Sequence, residues 1–376
     1  MAKSRLRTEL CDLLGIEYPI LQAGMGRSDG TPTPPPLVAA VSEAGGLGCL
    51  GGGGLEPDQL REAIREIREM TDKPFAVDLL LPANLTKSPP TREEIRHEIS
   101  EEFPEHWAFV QALHQRFGLQ PALMEKPSLL SNEHVKRQVE VVLEEAVPIF
   151  VAALGDPSWM IPDARSKGMK VIGIAGSVRN ATRQKASGVD MVIAQGYEAG
   201  GHTGTIANFA LIPQTIDAVK PLPVIAAGAI GDGRGVAAAL ALGAQGVWLG
   251  TAFLFSHEAD IAEAHREQLD GARSEDLVIS RSFTGKTARQ YRNEALQAWA
   301  ESGLDPLPMP YQWVLMDDFV ASAEATGKID LVNMPAGQIA GMLRGRRPAR
   351  QIVDELVESA VLEISRVSSC VSVLVQ

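Results

Sequence analysis

The chain has 376 residues and a formal net charge of −12 at pH 7, a length that suits one large α/β domain with insertions or two ordinary ones. So acidic a balance argues against nucleic acid as a main partner, because phosphate binding needs a basic face. Cys11, Cys49 and Cys370 are odd in number and far apart, which excludes a disulfide framework and makes a reducing cytoplasm the expected compartment.

The opening, MAKSRLRTELCDLLG, is basic but lacks the apolar run of a signal peptide. Strand and helix patterns then alternate, the signature of βαβ units around a parallel sheet. Residues 19–24 (PILQAG) read as a first strand, ending in Gly24-Met25-Gly26. A stiff Pro-rich loop, 31–36, feeds a helix over 37–43 that stops at Gly45-Gly46. Residues 47–50 form a second strand followed by four glycines, 51–54. An amphipathic helix over 58–70 places Leu60, Ile64 and Ile67 on one face. The third strand, 75–81, is interrupted only by Asp78.

An insertion over 84–130 breaks the alternation. Ile95, Ile99, Trp107, Val110 and Phe117 recur at helical spacing, and Pro104 starts a second helix there. His97, His106 and His114 lie in it, but without a tight His/Cys/Asp grouping no metal is expected, and a helical lid is the better reading. The pattern resumes with helix 133–146, strand 149–154, helix 158–166, strand 170–175, helix 178–187 and strand 191–194. After a glycine-rich loop come helix 209–219, strand 223–227, helix 234–242 and strand 246–251. Eight strands in strict alternation predict a (β/α)₈ TIM barrel over residues 1–273, with an open doubly wound sheet as the alternative. Residues 236–256 carry no charge and are long enough to cross a bilayer, yet Gly243, Gly246 and Gly250 cut them into a buried helix, a turn and a strand. A soluble protein is expected.

From about Ser274 to the end, the chain reads as a small helical subdomain packed on the barrel. Residues 280–293 are basic (Arg281, Lys286, Arg289, Arg292), which suits pairing with the protein's own acidic surface better than holding an anion. Pro306, Pro308 and Pro310 suggest a linker, with helices over 320–325, 336–343 and 348–364. Val353, Val357, Ala360 and Ile364 share a face that reads as core.

The chemistry concentrates in 191–204, MVIAQGYEAGGHTG. A buried strand opens there into a glycine-rich notch that holds His202, whose ordinary pKa lies near neutrality. Glycines also follow the seventh strand (Gly228, Gly231, Gly233) and the eighth (Gly250), where barrels of this kind bind phosphate. Neither a Walker nor a GxGxxG spacing occurs at a strand–helix junction.

Five motifs carry a family resemblance: AGM at 23–25, Gln195-Gly196 with the EAGGHTG loop, AAGAI at 226–230, LGT at 249–251, and SRSFTGKTAR at 280–289. In this order they resemble the nitronate monooxygenase (2-nitropropane dioxygenase) family along nearly the whole chain outside 84–130. The resemblance implies an FMN-dependent TIM-barrel enzyme. It places Ala23, Gly24, Met25, Asp78, Gln195, Gly200, Gly201, Gly228, Ala229, Trp248, Leu249, Gly250 and Thr251 at the FMN, with His202 as catalytic base. The implied reaction converts an alkyl nitronate and O₂ to a carbonyl compound and nitrite, in an enzyme whose partners are small molecules and which leaves a homo-oligomer open. Asp78 stands where the family usually has Asn, and AAGAI replaces its GGI-type turn. Flavin-containing enoyl-thioester reductases are similar in the same motifs, so an NAD(P)H-dependent reductase of a quinone or acyl thioester is the alternative. Likeness to the dehydrogenase that oxidises inosine monophosphate would require a nucleophilic cysteine, and none lies near the sixth strand.

Overall fold

The computed structural model describes residues 6–26, 30–81, 90–125 and 131–370, so both ends of the expected insertion, 84–89 and 126–130, lie outside the described residues. Eight parallel strands surround one axis: β1 (Ile20–Gln22), β2 (Gly48–Gly51), β3 (Phe75–Leu80), β4 (Ile149–Ala153), β5 (Lys170–Ala175), β6 (Met191–Gln195), β7 (Val224–Ala227) and β8 (Gly246–Leu249). Strands β2 to β8 pair in chain order, and β8 pairs back onto β1 through Ile20↔Val247 and Gln22↔Leu249. The last seam, between β1 and β2, is only a bridge at Leu21↔Leu47. Gln22 stitches it with its side chain. Its Oε1 accepts from the Cys49 N–H at 2.9 Å, and its Nε2 donates to the Cys49 carbonyl at 3.0 Å. The alternating pattern therefore produces a nearly closed (β/α)₈ barrel, and the open-sheet alternative is set aside.

Each strand is buried on both faces, which is why it reads as a continuous apolar run. On β4, Ile149 and Val151 turn inward to join Leu21, Ile172, Ile193 and Ile225. Phe150 and Ala152 turn outward to the helices, with Val77, Val171 and Val192. A helix at Glu9–Leu14, where the sequence pattern predicts none, closes the N-terminal end of the barrel by adding Leu10, Cys11 and Leu14 to the interior. Residues 236–256 fall into helix Gly233–Ala241, β8 and the short helix Thr251–Leu254, and no described helix is long and apolar enough to cross a membrane.

A second apolar cluster sits beside the barrel. Helices Arg92–Glu102 and Pro104–Phe117 bring Ile95, Ile99, Val110 and Phe117 against Trp299, Leu315 and Phe319. Two ion pairs pin them to helix Tyr311–Ala325: Arg92–Asp317 at 2.9 Å and Arg96–Asp318 at 2.7 Å. That helix begins directly after Pro310, so the expected linker is largely a helix start, and its two central carboxylates hide it from a periodicity reading. The final helix, Ala349–Ser369, outruns the expected boundary; Val353, Val357 and Ala360 are buried as expected, but Ile364 is exposed. The segment after Ser274 is also not purely helical. Leu277–Ser280 and Ala288–Tyr291 form an antiparallel hairpin, and the second strand pairs with Gly201–His202.

Candidate active site

A cavity of about 1360 Å³ opens over the C-terminal ends of the strands. Every site residue named from the sequence lines it, from Ala23–Met25 after β1 to Thr251 after β8. Trp248 and Leu249 are nearly buried, at 4% and 2% exposure, so both also serve the barrel core.

At one end the glycines form a cradle. Gly228 has φ +100° and Ala229 φ +55°, consecutive left-handed residues of the kind that turn peptide N–H groups toward an anion. The Asn208 side chain donates to the Gly228 carbonyl, and the Asn208 N–H donates to the Glu198 carboxylate at 3.0 Å. Gly200 is glycine for packing as well: a Cβ there would lie 2.5 Å from the Ala336 carbonyl carbon. The neighbouring Gly337 N–H donates to Thr251 Oγ1 at 2.9 Å, which ties the end of β8 to the C-terminal segment.

Across the cavity, β1 and β3 meet without a spare methyl's width. A Cβ at Gly24 would lie 2.6 Å from Asp78 Cβ and 3.1 Å from Cys49 Sγ. Asp78 Oδ1 is buried with no hydrogen-bond partner among the described residues. Burial holds the Asp78 carboxyl well above the usual carboxylate range, and burial next to Asp78 pushes the Cys49 thiol up. Burial therefore favours the neutral acid at Asp78, which lines the cavity.

His202 stands over the mouth on its short strand. The Gln195 side chain is spent on placing it, with Nε2 donating to the His202 carbonyl at 2.7 Å. His202 Nε2 lies 3.5 Å from Thr284 Oγ1 on the hairpin. Burial, then the charge of Lys286, lowers the imidazole pKa to about 4, so the ring is neutral at physiological pH. A neutral imidazole here can accept a proton or share one in a hydrogen bond.

Residues 7–359 match the nitronate monooxygenase family model. The chain belongs to that family. It is a flavin-dependent oxidoreductase, and its relatives bear this out. A Mycobacterium tuberculosis protein named as a monooxygenase, Rv1533, is 35% identical over 383 aligned residues, covering 97% of this chain and 100% of its own. The nitroalkane oxidase of Streptomyces ansochromogenes superposes with a TM-score of 0.78 at 29% identity, over 96% of this chain and 99% of its own. FabK of Thermotoga maritima gives 0.75 at 32% identity, over 97% and 100%.

The residues present fit a flavin. A cradle of left-handed residues suits a phosphate at one end of the cavity, and the orphaned Asp78 oxygen suits a polar ring edge at the other. Sequence reading missed the hairpin's part in the site: Phe283, Thr284, Lys286 and Gln290 all line the cavity. The signal was the basic stretch, but its cations separate only in three dimensions. Arg281 meets Asp305 at 3.7 Å on the surface, and Arg292 donates to the Glu275 carbonyl at 3.1 Å. Arg289 is buried, donating to Leu277 O at 2.6 Å and Tyr197 O at 3.0 Å, its guanidinium 4.6 Å from the Tyr197 ring centre. Lys286 alone of these four turns to the cavity.

Proposed function

We propose that the enzyme holds FMN and oxidises alkyl nitronates with O₂ to a carbonyl compound and nitrite, with His202 acting on the substrate. One observation carries the reading: a single cavity has an anion cradle at Gly228–Ala229 and Gly250–Thr251, and a neutral imidazole at its mouth. FMN is favoured over a dinucleotide because the cradle suits a terminal phosphate and the chain has no pyrophosphate fingerprint. The bound flavin would supply an electron acceptor that O₂ regenerates. The protein's part is position and protons. His202 Nε2 removes the α-proton of a neutral nitroalkane or hydrogen-bonds the oxygens of a nitronate already ionised. Thr284 restrains the ring, and Gln195 restrains the backbone behind it. Asp78, where burial favours the neutral acid, would face the polar edge of the cofactor.

A second reading, NAD(P)H-dependent reduction of a quinone or an enoyl thioester, draws on cavity size. Ligand pockets commonly span about 300–1000 Å³, and this one is larger at about 1360 Å³. Oxygen uptake with equimolar nitrite release from ethylnitronate, without NAD(P)H, supports the first reading. NAD(P)H oxidation with no nitrite from any nitronate would overturn it.

A further inference from the structure

A cation half-buried beside a ligand cavity is costly unless something pairs with it. Lys286 is such a cation. No carboxylate pairs with it among the described residues, and burial alone weakens its hold on its proton. Lys286 and His202 line the same cavity, and the Lys286 charge adds to burial in lowering the imidazole pKa. The backbone N–H of Lys286 donates to Thr284 Oγ1 at 3.2 Å, the same oxygen that faces His202. The partner this arrangement lacks is an anion that reaches the imidazole as well.

The wall on the hairpin side of the cavity carries several apolar side chains, with Gln290, Asp317 and Asn333 among them. Phe283, Met309, Trp313, Val320 and Met334 line the same cavity. Phe283 precedes Lys286 by three residues, and Gly285 between them is backed by the Met309 backbone, 2.6 Å from where a Cβ would sit. Trp313 and Val320 share one face of helix Tyr311–Ala325, and Asp317 between them is held by Arg92 at 2.9 Å. Behind this arm the insertion helix carrying Arg92 packs on Trp313, its guanidinium 5.2 Å from the ring centre, and among the described residues the insertion helices do not line the cavity.

We propose that Lys286 binds the anionic head of the substrate and that this apolar arm takes its chain, so that the preferred substrate is a nitronate with an extended alkyl tail. The proposal rests on the nitronate reading for the identity of the head group. A nitronate and a carboxylate each share one charge over two oxygens on a planar atom, so straight-chain carboxylates serve as unreactive probes. Acetate through octanoate are titrated into the FMN-loaded protein and followed by the flavin absorbance.

Affinity is expected to rise roughly fourfold per added methylene, the transfer value of one buried CH₂. Lys286→Gln weakens every chain length by about the same factor, roughly tenfold or more for a lost charge-assisted contact, and Lys286→Arg restores most of it. Trp313→Ala, or Met309→Gln should the former not fold, flattens the chain-length dependence while acetate binding is kept. Binding that ignores Lys286, or an affinity independent of chain length, would overturn the proposal. Lys286-dependent carboxylate binding without nitrite from any nitronate would keep the anion site and overturn only the nitronate reading.

Discussion

His202 owes its role to its neighbours more than to its own chemistry. An imidazole with its pKa lowered to about 4 is a weak base, so the cost of removing it depends on the substrate's protonation state. His202→Asn is expected to keep the flavin and to lose about 10²–10⁴-fold in turnover of neutral nitroalkanes, with a smaller loss on nitronates. Equal turnover of both substrates by variant and parent would make the histidine structural. The same depressed pKa has a consequence for stability. Between about 6.5 and 4 the unfolded chain binds a proton that the folded His202 refuses, so stability falls as pH drops through that window. In His202→Asn this acid sensitivity should shrink, read from urea melts at pH about 7 and about 4.5. Asp78 gives a sharper test of the cofactor's surroundings. Burial favours the neutral acid at Asp78, and a neutral acid adds no charge to oppose flavin reduction, so Asp78→Asn should move the midpoint potential by less than about 30 mV at neutral pH. A rise well beyond that would mean Asp78 is ionised. His202 was legible because it stands alone among glycines. Lys286 was not, because a run of four cations does not say which one turns inward; strand pairing with Gly201–His202 decides it.

At the scale of elements, the strands were legible because both faces are buried and the βα alternation is strict. Helix Tyr311–Ala325 was not, and the reason is specific. Asp317 and Asp318 interrupt its apolar sequence, and their partners Arg92 and Arg96 lie more than 220 residues earlier in the chain. A pattern read within a window cannot find such a pair. Breaking one should loosen both elements. Asp318 accepts from Arg96 at 2.7 and 2.8 Å and from the Met124 N–H at 3.0 Å. Asp318→Ala is therefore expected to cost about 3–5 kcal/mol, the usual penalty for stranding a buried charge. Amide exchange should rise across Arg92–Phe117 while the barrel strands stay protected. Uniform loss of protection in barrel and insertion alike would contradict the division into two packed clusters.

For the molecule as a whole, the barrel supplies a rigid ring of strand ends, and the C-terminal hairpin and helix Tyr311–Ala325 build a second wall over it, backed from outside by the insertion helices. That wall brings Thr284 to His202 and Lys286 to the same cavity. From the sequence the ring, the glycine turns after β7 and β8 and the position of the loop histidine at the cavity could be read, since each depends on contacts near in the chain or on strand order. The second wall could not, because it joins residues 92–117 to residues after 277 through side chains with no local signature. The central claim is that this site oxidises nitronates by way of a bound flavin. Anaerobic mixing of the yellow protein with ethylnitronate, NADH and NADPH in turn tests it most directly, with flavin absorbance as the readout. Bleaching by ethylnitronate, with neither nicotinamide having that effect, is the predicted result; rapid bleaching by NADH or NADPH and none by the nitronate would contradict it.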